Sequence, residues 1–360
     1  MMQLFWLWKP NLHNLINNMS STHNIIGLCD TSEAGFDHPN FEEEFLLLHT
    51  KLKNKNKKVI LFLHPWWKIY DSFFRQISVD VCYVDNWLNT TYKKLVIDKE
   101  CPIRQKWSYN KDHSFLFLMG KVYKKNRLLL FYKLVKAGLV DRKKTFYTLR
   151  AKTHDNDWVQ SCFNVLKDEL QDRSKIIEFL EHYNKEIDLI ATKNHVPNQF
   201  HYTGIPYNVK IYKNTNFQII AESSLENNNP FITEKTWIAM ANKMPFIIIG
   251  NVKSCEYLER LGFKTYRNYM PHPEYDNEIF DNKINDIVSN IKNFNKYLCK
   301  HKERVKVDTE HNFKMLKKLY YKGQNELMQK CKNYNIDYSS FQQNSHIYNP
   351  DNWQEHAGII

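Results

Sequence analysis

The sequence predicts an α/β fold in two successive units, each built on a parallel sheet, and three observations carry that prediction. Continuous apolar runs of strand length, such as Val59–His64 (VILFLH) and Pro245–Gly250 (PFIIIG), match strands buried on both faces. Segments with helical spacing separate these runs, and the strand–helix rhythm starts afresh near residues 100–112. A length of 360 residues suits two domains of common size, each with its own core.

Taken in order, Asn24–Cys29 is a short apolar strand followed by a polar loop, Asp30–Asn40. Phe41–Leu52 (FEEEFLLLHTKL) has helical spacing. Val59–His64 is the second strand, stopped at His64-Pro65 because the residue before proline is pushed out of helical backbone. Val79–Val84 (VDVCYV) is the third. The second rhythm opens with the strand Ser114–Met119 (SFLFLM), a basic loop Gly120–Asn126 and an amphipathic helix Arg127–Lys136 ended by Ala137-Gly138. Asp157–His182 reads as further helix, and Asn216–Ala221 (NFQIIA) as a strand running into Glu222-Ser223-Ser224. Thr233 is a natural cap for a helix through about Asn242. Pro245–Gly250 is the next strand, and Ser254–Leu261 a short helix closed by Gly262. Beyond Asn285 the chain is basic and helical to near Tyr334, then polar and irregular. These patterns place one unit over 1–108, a second over 109–290 and a basic helical tail over 291–360.

Composition narrows the class. With 42% hydrophobic and 25% charged residues, disorder, collagen and coiled coil are excluded as the main architecture. Met1–Trp8 is apolar but reaches Lys9 and Pro10 too soon for a signal peptide or a span, and no later run approaches the roughly 20 residues a span needs. Seven scattered Cys with no CxxC pair predict reduced thiols in a cytoplasmic setting rather than a disulfide frame or zinc cluster. The net charge of +12 is concentrated: residues 121–144 hold nine Lys and Arg against one Asp, and 291–320 nine against three acids. Such clusters attract the phosphates of a nucleotide, a nucleic acid or an anionic surface. An AT-rich coding bias, visible in few Gly and much Lys, Asn and Ile, accounts for part of the excess.

Three separated elements converge on the chemistry of one anionic ligand. The basic loop that leaves a strand and opens a helix at Arg127 offers free backbone N–H groups, a positive dipole end and a guanidinium, a set suited to a diphosphate. Glu222 stands at the carboxyl end of a buried strand, where ligands of open α/β sheets sit and where a carboxylate accepts sugar hydroxyls. In Phe231-Ile232-Thr233-Glu234-Lys235, Glu234 suits the first turn of a helix, whereas Lys235 is disfavoured there by the dipole. The adjacent pair makes sense where the Glu accepts ribose hydroxyls and the Lys meets a phosphate.

This ordered set resembles the donor-binding signature of α1,3-fucosyltransferase-like glycosyltransferases. The resemblance lies in Ala221-Glu222-Ser223-Ser224, then Phe231 to Lys235, then Pro245 to Gly250, with Phe115–Arg127 similar to the family's other donor element. Related phage-encoded glycosyltransferases share the layout, including a segment like Leu261–Tyr266 and a following Tyr275-Asp276. The resemblance covers about residues 112–290; Phe231 stands for the usual Tyr and Ser223 for the usual Asn. It implies a GT-B fold, two Rossmann-like domains facing a cleft, and a nucleotide-sugar donor as co-substrate with no further cofactor. It further implies that Arg127 and Lys235 bind the diphosphate, Glu234 the ribose and Glu222 a donor hydroxyl, and Thr233 is counted with them among the residues that bind the nucleotide sugar.

The general base is then expected from the first unit, where a carboxylate or His must reach an acceptor hydroxyl. Asp30 is the choice among strand-end groups that include His64 and Asp85, with Glu33 and Asp37 in the first loop. His64 and Trp66, in His64-Pro65-Trp66-Trp67, are read as an acceptor platform. Asp155-Asn156-Asp157 has a spacing that suits a hard cation, but it opens a helix, where Asp is a common cap, so no metal is expected. The acceptor is expected to be a glycan. A hydroxymethylated base in DNA is the alternative acceptor, and a non-catalytic nucleic-acid-binding protein is the rival from another class.

Overall fold

A computed structural model of the chain describes residues 2–7, 25–30, 41–99, 103–110, 114–141, 143–185, 209–222, 225 and 230–335. It is a mixed α/β protein with two four-stranded parallel sheets. The chain divides into two compact units, Met1–Asn89 with Lys318–Ile360, and Thr90–Lys317. The boundary therefore falls inside a helical run rather than near 100–112. The expected tail, 291–360, is shared out, because its second helix continues from one unit into the other.

The first unit holds β1 (Met2–Leu7), β2 (Ile25–Asp30), β3 (Lys58–Leu63) and β4 (Asp80–Tyr83), paired in that order. β1 goes beyond the sequence reading: the apolar start of the chain pairs with β2 from Met2↔Ile25 to Leu7↔Asp30. Helix α1 (Phe41–Asn54) buries Phe45, Leu48 and Leu52, a helical stripe, and Phe45 meets Phe74 edge-on at 5.7 Å. A 3₁₀ turn (Pro65–Tyr70) leads to α2 (Asp71–Gln76), and α3 (Asn86–Tyr92) follows β4.

The second unit orders its strands β6 (Phe146–Thr148), β5 (Phe115–Leu118), β7 (Phe217–Ala221) and β8 (Phe246–Ile249). All four residues of β5 and of β8 and all five of β7 are buried, as continuous apolar runs require when helices cover both faces. Helix α4 (Lys125–Lys136) follows β5. The expected single helix 157–182 is two, α5 (Asn156–Leu170) and α6 (Arg173–His182). Gln171 turns left-handed (φ 55°) between them, and Asp172 accepts the Ser174 N–H at 2.8 Å to start the second. Asp155 does the same for α5 through Trp158 N–H at 3.0 Å, the capping role expected of it. Helices α7 (Val209–Asn214), α8 (Glu234–Ala241) and α9 (Ser254–Arg260) flank β7 and β8. Helix α10 (Phe280–Lys300) buries Ile284, Ile287, Ile291, Phe294 and Leu298, spaced three and four apart. Helix α11 (Lys302–Asn333) crosses the division between the units.

Arg104 is a buried staple that periodicity does not reveal. It is 2% exposed and donates to the carbonyls of Tyr212 (3.0 Å), Thr215 (3.1 Å), Lys106 (3.2 Å) and Ser108 (2.8 Å). Burial lowers its pKa to about 10. Two of these acceptors, Tyr212 and Thr215, lie where α7 ends and β7 begins, so it ties its own segment to the start of the strand that delivers Glu222.

Candidate functional site

The second sheet reverses its strand order between β5 and β7. From β5 the chain steps outward to β6, then returns to lay β7 and β8 on the other side. The crevice outside the carboxyl ends at such a switch is where open α/β sheets bind ligands. Here it receives the loop after β5, Glu222 after β7, and the first turns of α4 and α8.

Glu222 joins these parts. Its carbonyl accepts the Asn126 side-chain amide from the first turn of α4 at 2.8 Å. Its carboxylate turns the other way, to α8: Oε1 accepts the Thr233 N–H at 3.1 Å and the Thr236 hydroxyl at 2.6 Å, and Oε2 accepts the Thr233 hydroxyl. The residue is 0% exposed. Burial holds the carboxyl above the usual carboxylate range, a rise opposed by Lys235 and the two hydroxyls and helped by Glu234. The structure thus shows a brace between two helix starts, where the resemblance implied a ligand for a donor hydroxyl. Gly250, after β8, permits the arrangement: a Cβ there would lie 2.9 Å from Ser254 Oγ and 3.4 Å from Glu222 Cβ.

Thr233 occupies the N-cap position of α8, but its hydroxyl does not cap the helix as expected. The hydroxyl donates to Glu222 and accepts from Lys235 Nζ at 3.1 Å, a charged donor that takes the place a backbone N–H would have. Lys235 also pairs with Glu234 Oε1 at 2.7 Å. Both side chains are largely buried, at 11% and 5% exposure. Glu234 Oε2 is buried and has no hydrogen-bond partner among the described residues. Burial, and after it the Glu234 charge, raises the pKa of the buried Tyr212 phenol well above its ordinary value.

Arg127 lies in the first turn of α4 at 3% exposure. Its guanidinium donates to the Lys121 carbonyl at 3.3 Å and the Ala221 carbonyl at 3.4 Å, spanning the ends of the β5 loop and β7. The first turn of α4 holds no acid, and its cap residue, Lys124, makes no side-chain cap. Two helix starts at one sheet edge therefore carry Arg127 and Lys235, where dipoles favour anions. The residues Ser223 and Ser224 lie outside the described part of the chain.

A second buried polar group sits below β8. Asp276, 0% exposed, accepts the Cys255 N–H of α9 at 2.6 Å, while its Oδ1 lacks a hydrogen-bond partner among the described residues. Burial raises its pKa to about 7, against the pull of Lys283. Lys283, 1% exposed, donates to the Gly250 carbonyl at 3.3 Å. Asn126, Thr236 and Lys283 were not singled out from the sequence. Only Asn126 carried a usable signal, as a polar residue in the first turn of a helix after a basic loop.

In the first unit, strand register aligns the carboxyl ends of β2, β3 and β4, with Cys29 beside Phe62 and Phe62 beside Cys82. Asp30 ends β2, and His64 and Asp85 follow β3 and β4 along that edge. His64 is 5% exposed, with Nε2 3.3 Å from Asp85 Oδ1, which also accepts the Leu88 N–H at 2.8 Å. The side chains of Asp30 and Trp66, and the loop holding Glu33 and Asp37, lie outside the described part. Among the described residues no group of three or more His, Cys, Asp or Glu is arranged to hold a metal, and no helix is long and apolar enough to cross a membrane. No protein-family model, curated protein or solved structure matches this chain.

Proposed function

We propose that the chain is a metal-independent glycosyltransferase of GT-B type, which binds a nucleotide sugar at the switch point of the second unit. One observation carries the reading: a buried Glu234 oxygen, without a hydrogen-bond partner among the described residues, stands beside Lys235 at a helix start held against Arg127's helix through Glu222. A vicinal diol of ribose supplies the donors that this oxygen lacks. A diphosphate matches two helix starts and two cations. Glu222 positions both starts and does not itself hold the sugar.

In the reaction, a base takes the proton of an acceptor hydroxyl, the oxygen attacks the anomeric carbon, and the nucleoside diphosphate leaves. Arg127 and Lys235 balance the charge that grows on the leaving oxygen. Asp30 is the proposed base, at the sheet edge that also carries His64 and Asp85. The proposed acceptor is a glycan hydroxyl, and chelation leaves turnover unchanged. A screen of nucleotides and nucleotide sugars by thermal shift tests the reading. A ligand at 100 times its dissociation constant adds about 2.7 kcal/mol to stability. If no nucleotide or nucleotide sugar moves the melting temperature, the site has been misread.

A further inference from the structure

From one face of α11 we infer that this helix docks on the phosphate backbone of a nucleic-acid duplex. Lys314, Lys317, Lys318 and Lys322 are exposed at positions i, i+3, i+4 and i+8, with Tyr321, 44% exposed, among them. They belong to one uninterrupted helix, so their alignment follows from helical geometry alone. The stretch between Glu310 and Glu326 contains no acid. Within the stripe Lys322 pairs with Glu326 at 3.8 Å, and elsewhere on the helix Lys306 pairs with Glu303 at 3.8 Å and Lys330 with Asp80 at 3.7 Å. Among the described residues Lys314, Lys317 and Lys318 make no ion pair. Coding bias raises the number of lysines, but it does not choose the face they share or keep acids out of residues 311–325.

The stripe is about 12 Å long, the axial run of three to four phosphates on one strand. A lipid surface fits less well. The apolar face of the helix, with Leu316, Tyr320 and Leu327, is buried in the protein. The apolar residues left outside, Val307, Tyr321 and Met328, are separated by whole turns and form no strip that enters a bilayer. The inference does not rest on glycosyl transfer and concerns a different surface.

The test is fluorescence anisotropy of the full chain with an unmodified 20-base-pair duplex over a series of salt concentrations. Lys314→Gln/Lys317→Gln/Lys318→Gln is compared with Lys292→Gln/Lys296→Gln/Lys300→Gln, which removes equal charge from the exposed face of α10. Glutamine matches lysine in helix propensity, and circular dichroism checks the fold of both. The expected result is a salt slope shallower by two to three and binding at least tenfold weaker at 100 mM salt for the first triple only, at about 0.9 in slope per phosphate contact. Arginine at the same three positions restores it. Equal losses in both triples would reduce the effect to net charge and overturn the inference. So would unchanged binding in the first triple, or binding to phosphatidylserine vesicles without binding to the duplex.

Discussion

Replacing Glu222 by alanine removes the acceptor for three groups at once: the Thr233 N–H, the Thr233 hydroxyl and the Thr236 hydroxyl. All three residues are 0% exposed, so water does not take the place of the carboxylate. Each buried donor left without a partner costs about 1–3 kcal/mol, and the two hydroxyls, free to rotate toward other acceptors, belong at the low end. The expected loss for Glu222→Ala is therefore about 3–5 kcal/mol, a large share of a typical stability of roughly 5–15 kcal/mol. Glu222→Gln keeps an amide oxygen where Oε1 accepts two of the bonds, and the Thr233 hydroxyl turns to accept from the new NH₂. Its cost is about 1 kcal/mol. Urea unfolding followed by far-UV circular dichroism measures both, and a common slope shows that the two differ in stability alone. The reasoning fails if the alanine variant lies within 1 kcal/mol of the parent, or if alanine and glutamine cost the same. The same pair separates bracing from ligand contact. A brace predicts that Glu222→Gln still binds a nucleoside diphosphate, since both helix starts stay in place.

Two further substitutions address neighbouring groups. Lys235→Gln keeps a donor for Glu234 and Thr233 but deletes the charge. It should weaken nucleoside diphosphate binding roughly ten- to hundredfold by calorimetry, and an unchanged affinity would remove Lys235 from the ligand site. For Asp276, a carboxyl raised from 3.8 to about 7 in the fold holds its proton more tightly there than when unfolded, so it stabilises most below pH 4 and loses that contribution as pH rises to about 7. That contribution is on the order of 4 kcal/mol at most, so stability between pH 4 and 7 should slope downward more in the parent than in Asp276→Asn, and parallel curves would show that Asp276 is not the group responsible.

What was legible in the sequence follows from where the information lies. The runs in β3, β5, β7 and β8 are apolar at every position but Lys58 and Gln218 because helices cover both sheet faces, so strand identity needs no partner to be read. β6 has three residues, Phe146, Tyr147 and Thr148, too few for any period to show. The break between α5 and α6 was hidden because helical spacing continues across it. The cause is local, a left-handed Gln171 followed by an Asp172 that caps. Glu222 could be placed at a strand end but not given its partners, since Thr233 and Thr236 come to it only when β7 and α8 are packed. Arg104 is the extreme case: its acceptors at 212 and 215 lie more than a hundred residues away, and no motif connects them.

The cations of the switch-point site stand where a helix favours anions. Arg127 lies in the first turn of α4 and Lys235 in that of α8. A cation at a helix N-terminus is disfavoured by about 0.3–1 kcal/mol at exposed sites and by more where water is excluded. Glu234 and the Thr233 hydroxyl offset that cost for Lys235. Burial raises the pKa of the neighbouring Glu222, whose oxygens accept from Thr233 and Thr236. An anion entering at the two helix starts relieves the same cost, and its charge should raise the proton affinity of Glu222 further. Calorimetry of nucleoside diphosphate binding, in buffers of different ionisation enthalpy, should therefore show proton uptake near the pH where Glu222 titrates. Binding without uptake at any pH would place the anion away from Glu222 and Lys235.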